Sequence, residues 1–283
     1  MRKALAIAAV FGLAAFVALP ASAETTAAPL KDVHWSFEGP MGRFDQEQLQ
    51  RGYKVYHDVC SACHSMNLMS FRNLGQLGGP FYDPKYKNPN DNPYVKTIVK
   101  DYRVPDIDTT TGDAIKRPAT AADTFIAPFP NEYAARASNS GALPPDLSLI
   151  VKAREGGPRY VYSILTGYAA APAGMTVPVG KYYNPYMPGD MASFWHGAAN
   201  QVPTGGFIAM PFQLTPQRVT FDDGMAATTN QEALDVVAFL AWASDPHADE
   251  RKQLGLSVMI FLGIFTVLLY FSYRAIWKDI DHH

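Results

Sequence analysis

The amino-acid sequence predicts a mainly α-helical protein that ends in one membrane-spanning helix. The first observation is that its clearest apolar periodicities have helical spacing. The second is an uncharged apolar run at residues 254–273, since about 20 helical residues are enough to cross the hydrocarbon core of a membrane. The third is that residues 75–136 are rich in Pro, Asn and Asp, which predicts long irregular insertions there. A hairpin is a further prediction between Val177 and Phe207.

The composition is that of a globular protein with some membrane content. Of the 283 residues, 48% are hydrophobic and 18% are charged, and the formal net charge is −2. A protein that binds nucleic acid through phosphate contacts needs a basic stripe, which this sequence lacks. The composition therefore excludes a nucleic-acid binder of this kind.

The first residues have the pattern of a secretory signal peptide. Arg2 and Lys3 precede an apolar run, and Ala21–Ser22–Ala23 forms a cleavage site of the A-x-A type. A retained membrane anchor is the alternative, but the run is short for a span. We therefore predict that the chain is exported across a bacterial inner membrane.

These patterns together predict four segments. Residues 1–23 are a cleaved signal peptide, 24–252 a periplasmic domain, 253–274 a transmembrane anchor helix and 275–283 a cytoplasmic tail. The exported N-terminus decides the orientation, because basic residues lie on both sides of the apolar run and give little asymmetry. A buried core helix is the alternative interpretation of that run.

Both cysteines of the chain lie in one pentapeptide, Cys60–Ser61–Ala62–Cys63–His64. C-x-x-C-H is the attachment sequence of haem c. Two thiols three positions apart can form thioethers with the vinyl groups on one porphyrin edge, and the adjacent histidine is then held where it can coordinate the iron. The pentapeptide therefore predicts one covalently bound haem c, anchored by Cys60 and Cys63 and ligated by His64.

Three other interpretations of the pentapeptide are weaker. A thioredoxin-like redox pair needs a βαβ setting and usually no following histidine. A zinc site needs about four ligands, and no second cysteine pair exists. A disulfide across two residues closes a very small loop and stabilises little.

A helix is predicted immediately before the pentapeptide. Residues 45–48 are a plausible capping box, and a missing side chain at Gly52 would allow another helix to approach closely. The positions that share one helical face are Leu49, Tyr53, Tyr56 and Cys60.

A second helix is predicted near the end of the exported domain. Residues 229–232 are a second plausible capping box. The apolar positions that follow at helical spacing are Leu234, Val237, Ala238 and Ala241. One helix before C-x-x-C-H and one near the end of the domain fit the two crossing helices of small c-type cytochromes. The predicted fold is therefore a class I c-type cytochrome-like haem domain with long irregular insertions.

The second axial ligand decides between chemistry and electron exchange, because only an open iron site can bind a small substrate. Met210 is the best candidate from its position. It follows a flexible Gly205–Gly206 pair, precedes Pro211 and lies before the last helix of the domain. Met187, Met191 and His196 remain alternatives at this point.

Most of the chain resembles the cytochrome c1 family, the haem c subunit of the ubiquinol–cytochrome c reductase (cytochrome bc1) complex. The resemblance extends from about residue 51 to residue 273. The matching blocks are Arg51–Tyr56, Val59–Met66, Phe71–Leu74, Ala134–Ser148, Val151–Gly157, Tyr160–Val161, Leu165–Tyr168, Tyr183–Tyr186 and Phe221–Gly224.

The resemblance implies roles for single residues. Met210 occupies the position of the axial methionine of the family, opposite His64. Arg154 and Tyr160 match residues near the haem propionates, where a charge-assisted partner is needed. The stretch that lines the haem in the family is matched by Asn139, Pro144 and Pro145.

One departure from the family concerns the loop that carries Met210. Some bacterial relatives have a second cysteine pair there, and this chain has none. We expect packing by Phe207, Phe212 and Tyr183 to hold Met210 instead.

The resemblance also implies the function and the partners. The haem subunit accepts electrons from the Rieske iron–sulfur protein and passes them to a soluble periplasmic cytochrome c. It works beside cytochrome b in a dimeric complex and is not an enzyme on its own. Alternatives are a membrane-anchored c-type cytochrome of another electron-transfer chain or of a terminal oxidase, and a haem enzyme with an open site, such as a peroxidase.

Docking of a basic soluble cytochrome would use acidic surface. The candidates are Asp106, Asp108, Asp113, Asp123, Asp222, Asp223, Glu232 and Asp235.

Overall fold

The computed structural model describes residues 27–278. Within this range the helices are α1 (Gln46–Asp58), α2 (Pro93–Lys100), α3 (Glu132–Ser138), α4 (Gly157–Thr166), α5 (Thr229–Ser244) and α6 (Ala248–Ile276). The strands are β1 (Arg103–Ile107), β2 (Ala114–Pro118), β3 (Tyr182–Asn184) and β4 (Gly206–Ile208). Helices dominate the regular structure of these residues, in agreement with the predicted class. The predicted signal peptide at 1–23 and the last five residues of the predicted tail lie outside the described residues.

The core is built on the contact between α1 and α5. Gly52 of α1 faces α5 so closely that a Cβ atom there would collide with the backbone carbonyl of Asp235 and with the side chain of Phe239. The predicted close approach at Gly52 is therefore confirmed. Ala238, which is 1% exposed, shows how completely this part of α5 is covered.

Aromatic side chains fill the space around this crossing. The rings of Tyr53 and Tyr56 on α1 each lie 5.7 Å from the ring of Phe239 on α5. Phe125, from the long insertion, lies 4.9 Å from Phe71 in a stacked arrangement. Offset and edge-on pairs of this kind add to the stabilisation from apolar burial. The insertion is thus packed into the core rather than attached to its outside.

The predicted N-terminal cap is confirmed for α1 but lies at a different residue for α5. Asp45 caps α1, because its side chain accepts a hydrogen bond from the Gln48 amide. At α5 the cap lies one residue earlier than predicted: the hydroxyl of Thr228 accepts from the Gln231 amide. Glu232 is therefore no capping residue. It is fully buried, and one of its oxygens accepts from the Val219 amide.

The insertion at residues 75–136 contains more regular structure than the sequence indicated. Asn92 and Pro93, which resemble a turn, are the cap and first residue of α2, and the Asn92 side chain accepts from the Tyr94 and Val95 amides. Strands β1 and β2 follow as an antiparallel hairpin with Arg103 opposite Pro118.

Strands β3 and β4 form a second antiparallel pair, with Tyr183 opposite Phe207. The predicted hairpin between Val177 and Phe207 is confirmed in part: its first strand begins at Tyr182 rather than at Val177, and residues 185–205 separate the two short strands. The backbone at Gly205 has φ +115°, and a Cβ atom there would collide with the backbone of Pro185. Only glycine fits this entrance to β4.

Helix α6 begins after a three-residue junction that follows α5. Two side chains of α6 fix its first turns to the domain. Asp249 accepts from the Phe44 amide at 3.0 Å, and the Lys252 ammonium donates to the carbonyls of Phe37 and Gly42 at 2.6 and 3.0 Å. The predicted anchor at 253–274 lies inside α6.

The apolar side chains of α6 are exposed from Leu254 onward. In the part of the chain that the structure describes, α6 is the one helix long and apolar enough to cross a membrane. An exposed apolar surface of this length needs a non-aqueous environment. This agrees with a membrane anchor at the end of the chain.

Candidate haem-binding site

Helix α1 leads directly into the tight turn that carries both cysteines. After α1 the chain continues into a 3₁₀ turn at Cys60–Ala62, and the His64 amide donates to the Cys60 carbonyl at 2.9 Å. Both thiols are free; Cys60 is half-buried and Cys63 is exposed. Burial raises the pKa of the Cys60 thiol to about 12. The structure thus places two free thiols and one imidazole within five consecutive residues.

The imidazole of His64 is held in one tautomer. Its Nδ1 lies 2.8 Å from the carbonyl oxygen of Pro145. A carbonyl can only accept, so Nδ1 carries the hydrogen and Nε2 keeps its lone pair. Burial lowers the pKa of His64, although the bond to Pro145 opposes this. A neutral imidazole with a fixed Nδ1–H is the form that binds a metal ion through Nε2.

Asp146 fastens the Pro145 loop to the turn that follows the cysteines. Its carboxylate accepts from the Ser65 hydroxyl, the Asn67 amide and the Ser148 amide, each at 2.8 Å. Burial acts to raise the pKa of Asp146, but the hydrogen bonds from Ser148, Asn67 and Ser65 outweigh it and lower the pKa below its ordinary value. Sequence reasoning missed this residue. Its one local signal is the Asp-x-Ser spacing, which is typical of an Asx turn.

Of the three residues expected to line the haem, the structure brings Pro145 into contact with the Cys60–His64 segment. Asn139 closes the end of α3, where its side chain donates to the Ala135 carbonyl at 2.7 Å. Ser140 and Gly141 then take left-handed φ values of 52° and 86°. Pro144 lies directly before Pro145 and is half-buried.

Arg154 and Tyr160 lie on the two sides of the turn that opens α4. Arg154 is exposed, and its guanidinium donates to the Ala153 carbonyl at 3.0 Å. Burial raises the pKa of Tyr160, while the charge of Arg154 and a hydrogen bond from it act in the opposite direction. Among residues 27–278, Arg154 has no carboxylate partner. A guanidinium without a counter-ion suits an anionic group such as a propionate.

Met210 lies two residues beyond β4 and is half-buried. Its carbonyl accepts from the hydroxyl of Tyr168 at 2.8 Å. Within the described range, no hydrogen bond, ion pair or ring contact joins Met210 to the Cys60–His64 segment. The two candidate iron ligands therefore lie on separate loops.

Each of the other candidate ligands is either buried or has a hydrogen-bond partner of its own. The sulfur of Met187 accepts from the Tyr160 hydroxyl at 3.7 Å. Met191 is 3% exposed and belongs to the core. The Nε2 of His196 lies 2.8 Å from the Thr176 hydroxyl. The choice of Met210 over these alternatives stays a prediction.

The three residues expected to hold Met210 contact other parts of its surroundings. Phe212 contacts Tyr168, with ring centroids 5.3 Å apart. Tyr183 donates to the Thr204 carbonyl at 2.6 Å, and Phe207 packs edge-on against Phe194. The direct contact of Tyr168 with Met210 was missed by the sequence reasoning, because spacing alone does not show which hydroxyl reaches which carbonyl.

The acidic docking surface is smaller than predicted. Glu232 and Asp235 are fully buried, so their assignment to this surface is wrong. They lie on the inner face of α5, where Asp235 pairs with Arg51 at 2.9 Å. The burial of Glu232 raises its pKa.

Three further candidates are ion-paired. Asp123 binds Arg117 at 2.6 Å, and Asp106 binds the same guanidinium at 2.7 Å. Asp223 pairs with Arg51 at 2.6 Å. Apart from the buried Glu232, the predicted acidic residues without an ion pair in the described part of the chain are Asp108, Asp113 and Asp222.

Comparison with known proteins decides the family. The Cytochrome C1 family matches residues 35–280. The chain belongs to the cytochrome c1 family. The resemblance predicted from the sequence is therefore confirmed. Family membership makes the chain a haem-containing protein of electron transport in the respiratory chain and a subunit of the bc1 complex.

Relatives from bacteria and yeast support this assignment. Cytochrome c1 of Rhodospirillum rubrum is 40% identical over 264 residues, which cover 88% of this chain and 87% of the relative. Cytochrome b/c1 of Bradyrhizobium diazoefficiens is 42% identical and covers 87% of this chain, which spans 35% of that longer relative. The mitochondrial cytochrome c1 haem protein of Saccharomyces cerevisiae is 40% identical, covering 87% of this chain and 71% of its own length.

The residues present fit the haem c that the cytochrome c1 family implies. Two free thiols are spaced by three positions. The imidazole beside them has its Nδ1 hydrogen bonded and its Nε2 available. The guanidinium of Arg154 has no counter-ion in the described residues. This donor set corresponds to the covalent anchors, the proximal ligand and the propionate partner of a c-type haem.

Proposed function

We propose that this chain is the electron-transfer subunit of a cytochrome bc1 complex. It accepts electrons from the Rieske iron–sulfur protein and passes them to a soluble periplasmic c-type cytochrome, without being an enzyme on its own. The observation that carries the proposal is His64, whose Nδ1 donates to the Pro145 carbonyl at 2.8 Å beside two free thiols. Family membership supports the assignment to the complex.

The residues that would hold the cofactor follow from the site. One haem c, when bound, supplies a one-electron iron couple. Cys60 and Cys63 would anchor it through thioethers, and His64 and Met210 would be the axial ligands. A methionine ligand opposite a histidine raises the reduction potential, which suits a carrier that accepts electrons from quinol oxidation.

The surrounding residues bind and orient the group. Arg154 and Tyr160 would hold the propionates, and the surround is completed by Asn139, Pro144 and Pro145. α1 and α5 would be the crossing helices of a class I c-type cytochrome-like fold.

The membrane arrangement completes the proposal. Residues 1–23 are removed as a signal peptide, and residues 24–252 form the haem domain in the periplasm. Residues 253–274 cross the inner membrane once, and residues 275–283 lie in the cytoplasm. The partners in the membrane are cytochrome b and the Rieske protein, in a dimeric complex.

The test is to purify the full chain from bacterial membranes in mild detergent through a C-terminal tag. We expect it to copurify with a b-type cytochrome and a Rieske protein, with one haem c per chain in a reduced-minus-oxidised spectrum. Reduction of the haem by quinol should require the Rieske protein. Copurification with an oxidase and no Rieske protein would instead assign the chain to another electron-transfer chain. A high-spin haem that binds carbon monoxide readily would indicate an open site such as that of a peroxidase.

The unpaired acidic residues supply the proposed docking surface for a basic soluble cytochrome. Asp108, Asp113 and Asp222 have no cationic partner among residues 27–278. Attraction between surface charges raises the association rate at low salt and is screened as salt is added. We therefore expect the rate of haem oxidation by the soluble cytochrome to fall steeply with ionic strength. A rate that does not depend on salt would remove this surface from the proposal.

A further inference from the structure

The segment that carries Met210 is held at both ends by tyrosine hydroxyls. Tyr183 donates to the carbonyl of Thr204 at 2.6 Å. Tyr168 donates to the carbonyl of Met210 at 2.8 Å. Between these two points, β4 pairs with β3 over only three residues. The two hydrogen bonds therefore enclose the segment from residue 204 to residue 210.

The two tyrosines are themselves attached to one rigid support. Tyr183 belongs to β3, whose Asn184 is buried and donates to the Ile164 carbonyl of α4 at 2.9 Å. Tyr168 lies two residues after the end of α4. Gly167 between them is so tightly packed that a Cβ atom would collide with the ring of Tyr186. Both hydroxyls are thus presented from the C-terminal end of α4.

The segment needs such attachment because its own sequence gives it little rigidity. Gly205 and Gly206 are adjacent, and glycine loses more conformational freedom on folding than any other residue. The only cysteines of the chain are Cys60 and Cys63, so no disulfide can cross-link the segment. Side-chain hydrogen bonds and packing must therefore fix its position.

We propose that Tyr168 is a positioning residue that holds Met210 at its place in the haem site by binding the Met210 carbonyl. Tyr183 fixes the other end of the same segment, so the pair replaces a covalent cross-link. This inference depends on the proposed function, because it takes Met210 as the second axial ligand. Phe212, whose ring contacts Tyr168 at 5.3 Å, fixes the chain on the far side of Met210.

Removal of the Tyr168 hydroxyl should loosen the segment without unfolding the domain. A groove of about 450 Å³ lies beside it, lined by Tyr168, Tyr182, Lys181 and Phe212 among others. Because Tyr168 lines this groove and Met210 is only half-buried, we expect water to replace the Tyr168 hydroxyl at the Met210 carbonyl in a Tyr168→Phe variant. The net loss of one hydrogen bond corresponds to a roughly two- to tenfold larger population with Met210 off the iron.

The experiment compares the holoprotein of Tyr168→Phe with wild type in the purified complex. We expect a weaker sulfur-to-iron charge-transfer band in the ferric state and a lower midpoint potential. Carbon monoxide should bind the ferrous state with roughly two- to tenfold higher apparent affinity, because that affinity follows the population with an open site.

The matched control is Tyr182→Phe, one residue before Tyr183. The Tyr182 side chain is 43% exposed, and its hydroxyl has no hydrogen-bond partner among the described residues. This control should match wild type in all three measurements. A Tyr168→Phe variant that also matched wild type would overturn the inference, and so would a control that changed as much as Tyr168→Phe.

A Met210→Leu variant separates this inference from the proposed function. If the charge-transfer band disappears in Met210→Leu but Tyr168→Phe matches wild type, the positioning role is wrong and the electron-transfer function stands. If the band survives in Met210→Leu, another residue ligates the iron and the positioning role is also wrong. Copurification with the Rieske protein tests the function independently of both results.

Discussion

The two loops that supply the candidate iron ligands are held in different ways. The His64 loop is attached to the core: it follows α1, whose Gly52 contacts the backbone of α5, and Asp146 fastens it through two hydrogen bonds of 2.8 Å. The Met210 loop includes the three-residue strand β4. It is held by partly buried hydrogen bonds from the hydroxyls of Tyr168 and Tyr183. The first loop belongs to the core, whereas the second is attached to it through the hydroxyls of Tyr168 and Tyr183.

This difference separates stability from ligand geometry. A change near the His64 loop should lower the stability of the whole domain, because this loop directly follows α1 of the α1–α5 crossing. A change in the Met210 loop should alter the haem spectrum and leave the unfolding transition nearly unchanged. Four measurements can break or sharpen this comparison.

The largest effect is expected for Arg51→Ala. Arg51 on α1 binds Asp235 on α5 at 2.9 Å, and the Asp235 side chain is 0% exposed. Loss of the guanidinium leaves a buried carboxylate without its charge partner, which should lower the free energy of unfolding by about 3 kcal/mol. Denaturant unfolding of the detergent-solubilised chain, followed by circular dichroism, measures this change.

The control for this change is Lys54→Ala on the same helix. Lys54 pairs with Asp58 at 3.0 Å, and both side chains are 35% exposed. Because a surface pair of this kind contributes less than about 0.5 kcal/mol, the variant should unfold like wild type. Equal losses for the two variants would show that the α1–α5 crossing does not depend on the buried pair.

A smaller loss is expected for Asp146→Ala. This change leaves the Ser65 hydroxyl and the amides of Asn67 and Ser148 without their acceptor, which should lower the free energy of unfolding by about 2 kcal/mol. The ferric electron paramagnetic resonance spectrum should also broaden, because the Pro145 carbonyl that orients His64 is then less firmly placed. Asp146→Asn keeps one acceptor oxygen, so its free energy of unfolding and its spectrum should lie between those of wild type and Asp146→Ala. A spectral change without any loss of stability would contradict the link between this loop and the core.

Met210→Leu should change the haem spectrum strongly and the stability only slightly. Leucine fills nearly the same volume, so the free energy of unfolding should change by about 1 kcal/mol or less. The charge-transfer band should nevertheless disappear, and the ferrous haem should bind carbon monoxide. An unfolding transition lowered as far as that of Arg51→Ala would show that the Met210 loop belongs to the folding core after all.

The smallest effect is expected in acid. The hydrogen bond from Arg251, together with Lys152, lowers the pKa of Asp245 to about 2 despite burial. Because the pKa in the folded state is below the ordinary value of 3.8, these ion pairs stabilise the fold above about pH 4. That contribution is lost as the pH falls toward about 2. Since Arg251 and Lys152 are largely exposed, the contribution should be less than about 1 kcal/mol.

Asp245→Asn provides the comparison for the acid experiment. The difference in melting temperature between wild type and this variant should be present at pH 6 and disappear near pH 2. Residues 204–212 contain no titratable side chain, so the charge-transfer band should not follow the same pH dependence in the folded protein. A constant difference in melting temperature from pH 6 to pH 2 would contradict the role of the two ion pairs.

Sequence reasoning succeeded where the relevant contacts are local or periodic. The helical face of α1 and the close approach at Gly52 could be predicted because helical spacing determines which residues share a face. The role of His64 as an iron ligand stays a prediction, which rests on the pentapeptide because the neighbours of His64 in sequence are also its neighbours in space.

Sequence reasoning failed where contacts join distant segments. Glu232 and Asp235 have the composition of surface residues, and only the packing of α5 shows that they are buried. The role of Asp146 depends on hydrogen bonds to a segment about 80 positions earlier. The contact between Tyr168 and Met210 likewise links two loops whose distance is set by α4, β3 and β4.

The junction between α5 and α6 has a consequence for the movement of electrons. Only three residues separate the helices, and Asp249 and Lys252 fasten the start of α6 to the segment from Phe37 to Phe44. These contacts fix the direction in which α6 leaves the domain. In the proposed complex, with α6 as the anchor, we therefore expect the domain and its anchor to move as one body. Movement between electron donor and acceptor would then fall to the partner proteins.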